Sequence, residues 1–335
     1  MTTGFRAPSP GDAPVRRGDF VAPVMNEVHR VIVGQDHLVD RLMLGLLCGG
    51  HLLIEGVPGL AKTLAVKTLA DTIDAGFRRI QFTPDLLPAD LNGTMIYNPA
   101  DQTFRARQGP IFTDILLADE INRAPPKVQS ALLEAMQEKQ VSIGGTTYPL
   151  SGLFTVLATQ NPIEHEGTYR LPEAQIDRFM MKVVVGYPTQ QEERAIMERQ
   201  TAAEPAVART VTDPAAILEG RAAVRAVHMD DRVKDYVVRL VFATREPDEF
   251  KLTEIKPWIA YGASPRATLG LLRAAKSLAV LAGRPFVTPD DLRYLAGPVL
   301  AHRLILVPEL ESEPKARHAI VEEATSKVGY RRPAR

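Results

Sequence analysis

The chain is short of cysteine, of net charge and of long apolar runs, and each shortage closes a class of function. A single cysteine, Cys48, among 335 residues leaves no disulfide framework. Its place in an apolar helical pattern makes it a small packing side chain rather than a redox group. Forty basic and forty acidic residues cancel, so the chain as a whole lacks the electrostatic footprint of a nucleic-acid or anionic-membrane binder. No stretch approaches the ~20 apolar residues that span a bilayer. The first residues hold no signal-peptide run, and the cytoplasm is the expected location. The seven histidines lack metal-ligand spacing, no G-x-S-x-G occurs, and no internal repeat is visible.

What is present is material for real cores. Apolar residues make up 45% of the chain, and its length suits two domains of ~150 residues each. Residues 1–22, with repeated proline and glycine, read as a flexible tail. In the next segment Leu38, Leu42 and Leu46, and again Val39, Met43 and Leu47, recur at helical spacing, closed by Gly49 and Gly50. HLLIE (51–55), RRIQF (78–82), DILLADE (114–120), LFTVLAT (153–159) and FMMKVVVGY (179–187) read as strands. Several are apolar on both faces, as central strands of a parallel sheet must be. They alternate with helices near 61–74 and 125–138, which predicts a doubly wound α/β core over residues 23–200. Such sheets bind ligands at the carboxyl ends of their strands. From 201 to 335 the pattern turns helical, over 213–246, 265–283 and 288–303, with no convincing strand; this predicts a smaller all-α domain.

Two interruptions break the sheet pattern. Residues 84–110 form a longer connection than usual. In 140–150, Gly144–Gly145 flanked by Val141, Ile143 and Tyr148 signals a hairpin.

The chemistry begins at GVPGLAKT (56–63), directly after the first strand. A phosphate cradle needs a delivering strand, small residues that let backbone N–H groups point inward, and a helix N-terminus behind them. Gly56 and Gly59 supply the turns, Lys62 reaches toward β- and γ-phosphates, and the Thr63 hydroxyl can ligate Mg²⁺. Ala61 stands where the usual pattern has glycine, and is expected to adopt helical φ/ψ as the first residue of the helix. Asp119 ends a buried strand, where a metal ion is one good partner for its carboxylate. Glu120 beside it is placed to polarise a water, which favours hydrolysis over transfer. Asn161, in LATQNP, follows the next strand and can hold that water or a γ-phosphate oxygen. Arg178 precedes a buried strand with no phosphate of its own chain nearby and suits an arginine finger aimed outward into a neighbour. Arg266, at the start of a helix in the second domain, is a candidate contact between phosphate and that domain.

Together GVPGLAKT, ILLADEINRAPPKVQSALLEAMQE, ATQNPIEHEGTYRLPEAQIDRF and YGASPRA closely resemble the MoxR family of AAA+ ATPases, from about Val33 to Asp291. The resemblance implies a P-loop NTPase core followed by an all-α lid, Mg·ATP as cofactor, and a homo-oligomeric ring, expected to be hexameric. Lys62 and Thr63 correspond to the Walker A pair, within a loop of Gly56, Val57, Pro58, Gly59, Leu60 and Ala61. Asp119 and Glu120 correspond to Walker B, Asn161 to sensor 1, Arg178 to the arginine finger and Arg266 to sensor 2, which in this clade acts on the neighbouring site. Val33 and Gln35, in IVGQ, look like the adenine pocket. The 84–110 interruption resembles the helix-2 insert and 140–150 the pre-sensor-1 hairpin, both facing the ring's pore or upper surface.

Similar proteins act as chaperone-like maturation factors on protein substrates, often with a von Willebrand factor A domain partner. This chain has no D-x-S-x-S motif of its own, so such a partner is a separate polypeptide. Two other classes remain open. A nucleic-acid motor would want basic hairpin tips, but the tips read IGGTT and NGTMIYNPADQ, with only Arg105 and Arg107 nearby. A nucleotide-gated scaffold with little turnover would not need Glu120, Asn161 and Arg178 together.

Overall fold

The structure, a computed structural model, describes residues 19–162, 168–201, 206–313 and 315–330. Most of the expected tail lies outside the described residues, but its end is folded. Helix α1 (Val21–Val31) starts there, with Val21 buried, so the boundary expected at residue 22 falls inside a helix. In α2 (Asp36–Cys48) the predicted leucine stripe is buried, and the helix stops at Gly49, whose φ of 62° suits a residue without a Cβ. The Cys48 thiol lies 3.1 Å from the Ser277 hydroxyl, and desolvation pushes it up to about 12, consistent with an inert packing group.

The chain then runs through β1 (Leu52–Glu55), α3 (Lys62–Thr72) and β2 (Phe77–Gln81). The long interruption holds a short α4 (Pro88–Asn92) and a hairpin of β3 (Gly93–Asn98) and β4 (Thr103–Gln108). Next come β5 (Ile115–Asp119) and α5 (Pro126–Glu138), with prolines at the start of α5. A second hairpin, β6 (Gln140–Ile143) and β7 (Thr146–Pro149), turns on Gly144 and Gly145, both at positive φ as a tight two-residue turn demands. The core closes with β8 (Thr155–Gln160), α6 (Glu173–Ile176) and β9 (Met181–Val184).

Five strands form one parallel sheet in the order β2-β5-β8-β1-β9. The chain starts in β1, crosses to β2, returns through β5 and β8, and crosses again to β9. That order creates a switch point between β8 and β1, where the carboxyl ends open a crevice. Leu52, Ile54, Ile115, Leu117 and Leu157 join the core shared with α2 and α3. Leu53, Leu116, Ala118, Val156 and Ala158 join that of α5 and its hairpin. Burial on both faces explains why these strands read as unbroken apolar runs.

After α7 (Gln190–Gln200) the lid comprises α8 (Pro214–Ala226), α9 (Asp231–Ala243), β10 (Ile259–Tyr261), α10 (Pro265–Leu281), α11 (Pro289–Leu300), β11 (Ile305–Leu306) and α12 (Ala316–Lys327). Two details differ from expectation. The helix expected over 213–246 is broken, and Asp230 caps a fresh start at α9 by accepting from the Arg232 N–H. The domain expected to lack strands holds the antiparallel pair β10–β11, whose members are too short to leave an alternating pattern. The lid shares its core with the sheet: α8 and α10 pack on α2. From α8, Arg221 donates to the carbonyls of Leu46 (2.7 Å) and Gly152 (2.8 Å) across the seam. No helix among the described residues is long and apolar enough to cross a membrane.

Candidate nucleotide-binding site

The loop 56–63 leaves the carboxyl end of β1 and enters α3, at the switch point. Gly56 sits where a Cβ would come within 2.8 Å of the Val185 carbonyl, so only glycine lets the loop pass β9 this closely. Gly59 has φ +86° and faces open space. Ala61 departs from expectation. It lies at φ 55°, ψ 18°, in the left-handed region, and the helix begins at Lys62. The conformation that glycine would take is kept without the glycine, at a cost of ~1–2 kcal/mol, because the exposed methyl group meets no neighbour that forbids it.

Lys62 folds its ammonium back onto the loop, donating to the carbonyls of Gly56 and Val57, the latter at 3.0 Å. Burial lowers the Lys62 pKa while Asp119 and Glu120 oppose that shift, which places this cation within the field of both acids. The sequence-predicted Asp119, Glu120 and Asn161 stand at the carboxyl ends of β5 and β8, and Lys62 and Thr63 open α3 directly after the loop that follows β1. On the connection between α1 and α2, Gln35, itself left-handed at φ 56°, donates to the Gly186 carbonyl at 3.2 Å just past β9, and Val33 lies two residues before it.

The acids have partners that the motifs do not reveal. The Arg79 guanidinium of β2 pairs with Asp119, its Nε 3.0 Å from Oδ2. Two residues on along the same face, Gln81 donates to Glu120 at 2.9 Å, and Arg123 also donates to Glu120, at 2.9 Å. Thr159 on β8 donates to Asp119 Oδ1 and accepts from the Glu120 N–H at 2.8 Å, holding the two acids in fixed relation. Glu120 itself is left-handed at φ 55°. The alternation in FRRIQ could have flagged Arg79 and Gln81 as one face of an edge strand. Their opposition to Asp119 needs the β2–β5 register, in which Gln81 lies beside Asp119.

The two candidate arginines are not brought to this cluster. Arg178 precedes β9, and the nearby Met180 N–H donates to the His51 carbonyl, at the amino end of β1. There Arg178 lies half-buried in a cleft lined by Ser130, Glu134, Gln137 and Gln175, rather than projecting freely, and its Nε has no hydrogen-bond partner. Arg266 pairs with Asp177 at 3.3 Å, at that same amino end.

A family model for the ATPase family associated with various cellular activities (AAA) matches residues 51–181, and an AAA lid domain model matches residues 251–324. Chaperone MoxR1 of Mycobacterium tuberculosis is 54% identical over 281 residues, covering 84% of this chain and 74% of that protein. Protein MoxR of Paracoccus denitrificans is 32% identical over 309 residues, covering 85% and 88%. This chain belongs to the MoxR family of AAA+ ATPases. The crystal structure of a candidate ATPase from Cytophaga hutchinsonii superimposes on this MoxR-family fold with a TM-score of 0.89 at 48% identity, covering 94% of this chain and 96% of that one.

The residues present fit the Mg²⁺ and ATP that a MoxR-family ATPase implies. The Lys62 ammonium rests on carbonyl oxygens that phosphate oxygens can replace, and Asp119 already holds a cationic group in the form of Arg79. No group of three or more histidine, cysteine or acidic side chains assembles a metal cage among the described residues. Mg²⁺ suits such a place, since it takes one or two carboxylates and completes its shell from phosphates and water. Thr63 and Asp119 would be its protein ligands.

Proposed function

We propose that this MoxR-family protein hydrolyses Mg·ATP at sites shared between neighbouring copies of a ring, hexameric by resemblance, and uses the turnover to remodel protein clients. The observation that carries this reading is the distance between the site and its arginines within one chain. Arg178 stands level with His51, whereas the phosphate loop begins at Gly56 at the other end of β1. About five residue steps from His51 to Gly56, at ~3.3 Å each, separate the two levels by ~16 Å, further than an arginine side chain reaches. Arg266 is held at the far end with it. Both therefore serve a second copy.

In this reading the backbone N–H groups of the loop 56–61, all but Pro58 having one, and the Lys62 ammonium bind the phosphates. Thr63 and Asp119 would hold Mg²⁺, which would supply neutralisation of negative charge on the phosphates. Glu120, released from Gln81 and Arg123, orients the attacking water and accepts its proton. Asn161 fixes that water or a γ-phosphate oxygen. Arg178 of the neighbouring copy offsets the charge that develops on the γ-phosphoryl group, an effect worth ~10³–10⁵ in rate. Val33 and Gln35 line the adenine side. The name of the Mycobacterium tuberculosis relative supports a chaperone role. The resemblance adds a separate von Willebrand factor A domain partner, with the insert and hairpin at the ring's pore or upper surface; the expected setting is the cytoplasm.

Three variants test the assignment. Lys62→Ala abolishes nucleotide binding. Glu120→Gln retains binding and lowers steady-state turnover at least ~100-fold. Arg178→Ala retains binding, and wild-type turnover per subunit rises with protein concentration. A dilute monomer that hydrolyses ATP at full rate, or indifference to the loss of Arg178, overturns the shared-site reading.

A further inference from the structure

Arg303, in the short turn after α11, is among the most deeply placed charges in the lid; its side chain is 3% exposed. A guanidinium has five N–H donors, and every one of them is engaged. Nε donates to Asp177 Oδ1 at 3.0 Å. One terminal nitrogen donates to the carbonyls of Asp177 (3.4 Å) and Phe179 (2.7 Å). The other donates to the carbonyls of Met180 (3.1 Å) and Val299. The two carbonyls taken by the first terminal nitrogen belong to the residues on either side of Arg178. His302 adds a further bond to the Phe179 carbonyl at 3.0 Å.

The lid therefore grips the backbone before and after Arg178. Asp177 completes the assembly. Its carboxylate also accepts from Ser264 Oγ at 2.9 and 3.0 Å and from Arg266 at 3.3 Å, both at the start of α10. The guanidinium of Arg178, by contrast, leaves Nε unbonded in its cleft. The backbone on both sides of Arg178 is fixed, while its Nε keeps a donor unused, as suits a group whose guanidinium is to be engaged by another molecule.

We propose that Arg303 is a positioning residue for Arg178. It sets the direction in which Arg178 leaves the chain, and it ties that direction to the attitude of the lid and of Arg266. The inference rests on the reading that Arg178 acts on a neighbouring copy. A planar fork bonded to five acceptors cannot be reproduced by lysine, which has three donors on one nitrogen. Arg303→Lys keeps the charge and releases part of the grip.

The test is steady-state ATP hydrolysis by single and equimolar mixed variants, with assembly followed by sedimentation. Arg303→Lys alone loses ten- to about a hundredfold in kcat, the scale of a catalytic group misplaced by an ångström, while its affinity for a fluorescent ATP analogue is unchanged. Mixing Glu120→Gln with Arg178→Ala is the control, because each supplies what the other lacks and activity returns. Arg303→Lys mixed with Glu120→Gln recovers to the control level, since the second chain brings a correctly aimed Arg178. Arg303→Lys mixed with Arg178→Ala does not recover. If the control recovers and the Glu120→Gln mixture does not, or if Arg303→Lys alone keeps wild-type kcat, the positioning role is overturned. A control that fails to recover overturns the shared-site reading instead, and this inference with it. Should Arg303→Lys not assemble, Ser264→Ala, which removes the hydroxyl that reaches both Asp177 oxygens and caps α10 at the Arg266 N–H but leaves Arg303 in place, carries the same mixing test with a smaller loss in kcat expected and the same pattern of recovery.

Discussion

Two aspartate–arginine pairs sit in different regions of the molecule, and their difference is instructive. Asp119 and Arg79 meet at the open carboxyl edge of the sheet, with the Arg79 side chain 49% exposed. Asp177 and Arg303 meet beneath the lid, with Arg303 3% exposed and its other donors taken by backbone carbonyls. The first pair is open to water on its arginine side, so another cation can take the guanidinium's place beside the Asp119 carboxylate, which Thr159 still holds. The second pair allows no such exchange, because opening it would strand a charge in a dry seam. The same two residue types make an exchangeable partner in one place and a permanent clamp in the other.

The sharpest challenge to this contrast is Asp177→Ala. Leaving Arg303 buried without its carboxylate lowers unfolding stability by about 3–5 kcal/mol, read from the urea midpoint; a loss as small as that of a surface pair would put both pairs in one class. Acid offers a second challenge at the same seam. His302, buried beside Arg303 and near Lys182, has its pKa driven well below the usual 6.5 by desolvation first and then by those cations. His51, at the same end of the sheet, is lowered by burial to about 4, its Nδ1 accepting from the Val156 N–H. The fold holds both rings neutral while the unfolded chain protonates them. Their stabilisation is thus complete above the unfolded value and is lost as pH falls from about 6.5 toward 4. Urea midpoints decline through that window, and His302→Gln shows a shallower decline than wild type; an identical slope would deny the seam its part. The smallest effect belongs to Arg79→Gln, which changes stability by less than about 1 kcal/mol. It also tightens Mg·ADP binding measured by titration calorimetry, since Asp119 no longer carries a competing cation; weaker binding would make Arg79 a ligand contact instead.

Much of this was written in the order of the residues. The five strands are legible because parallel strands buried on both faces must be apolar throughout, and the Gly144–Gly145 turn because few residues tolerate its φ values. The candidates Lys62, Thr63, Asp119, Glu120 and Asn161 are legible because each lies at the end of a strand, just after one, or at the start of the helix that the first strand's loop enters. What escaped depends on pairings between distant segments. Arg79 and Gln81 look like solvated strand residues until β2 is set beside β5. Thr159 reads as one more strand threonine until its hydroxyl is found between two acids. Arg303 stands in an ordinary AHRLIL stretch, and nothing local says that its five donors close on another segment. Ala61 escaped for a different reason, since alanine is a strong helix former and only the loop's geometry forces it left-handed.

Arg221 and the packing of α8 and α10 on α2 have a consequence for anyone who would cut the molecule apart. A protease that severed the link between sheet and helical half would leave the pieces gripping each other, while a gene stopped short of α8 would expose the leucines of α2 and yield precipitate. A chimera that borrows its lid from a relative has to borrow α2 as well.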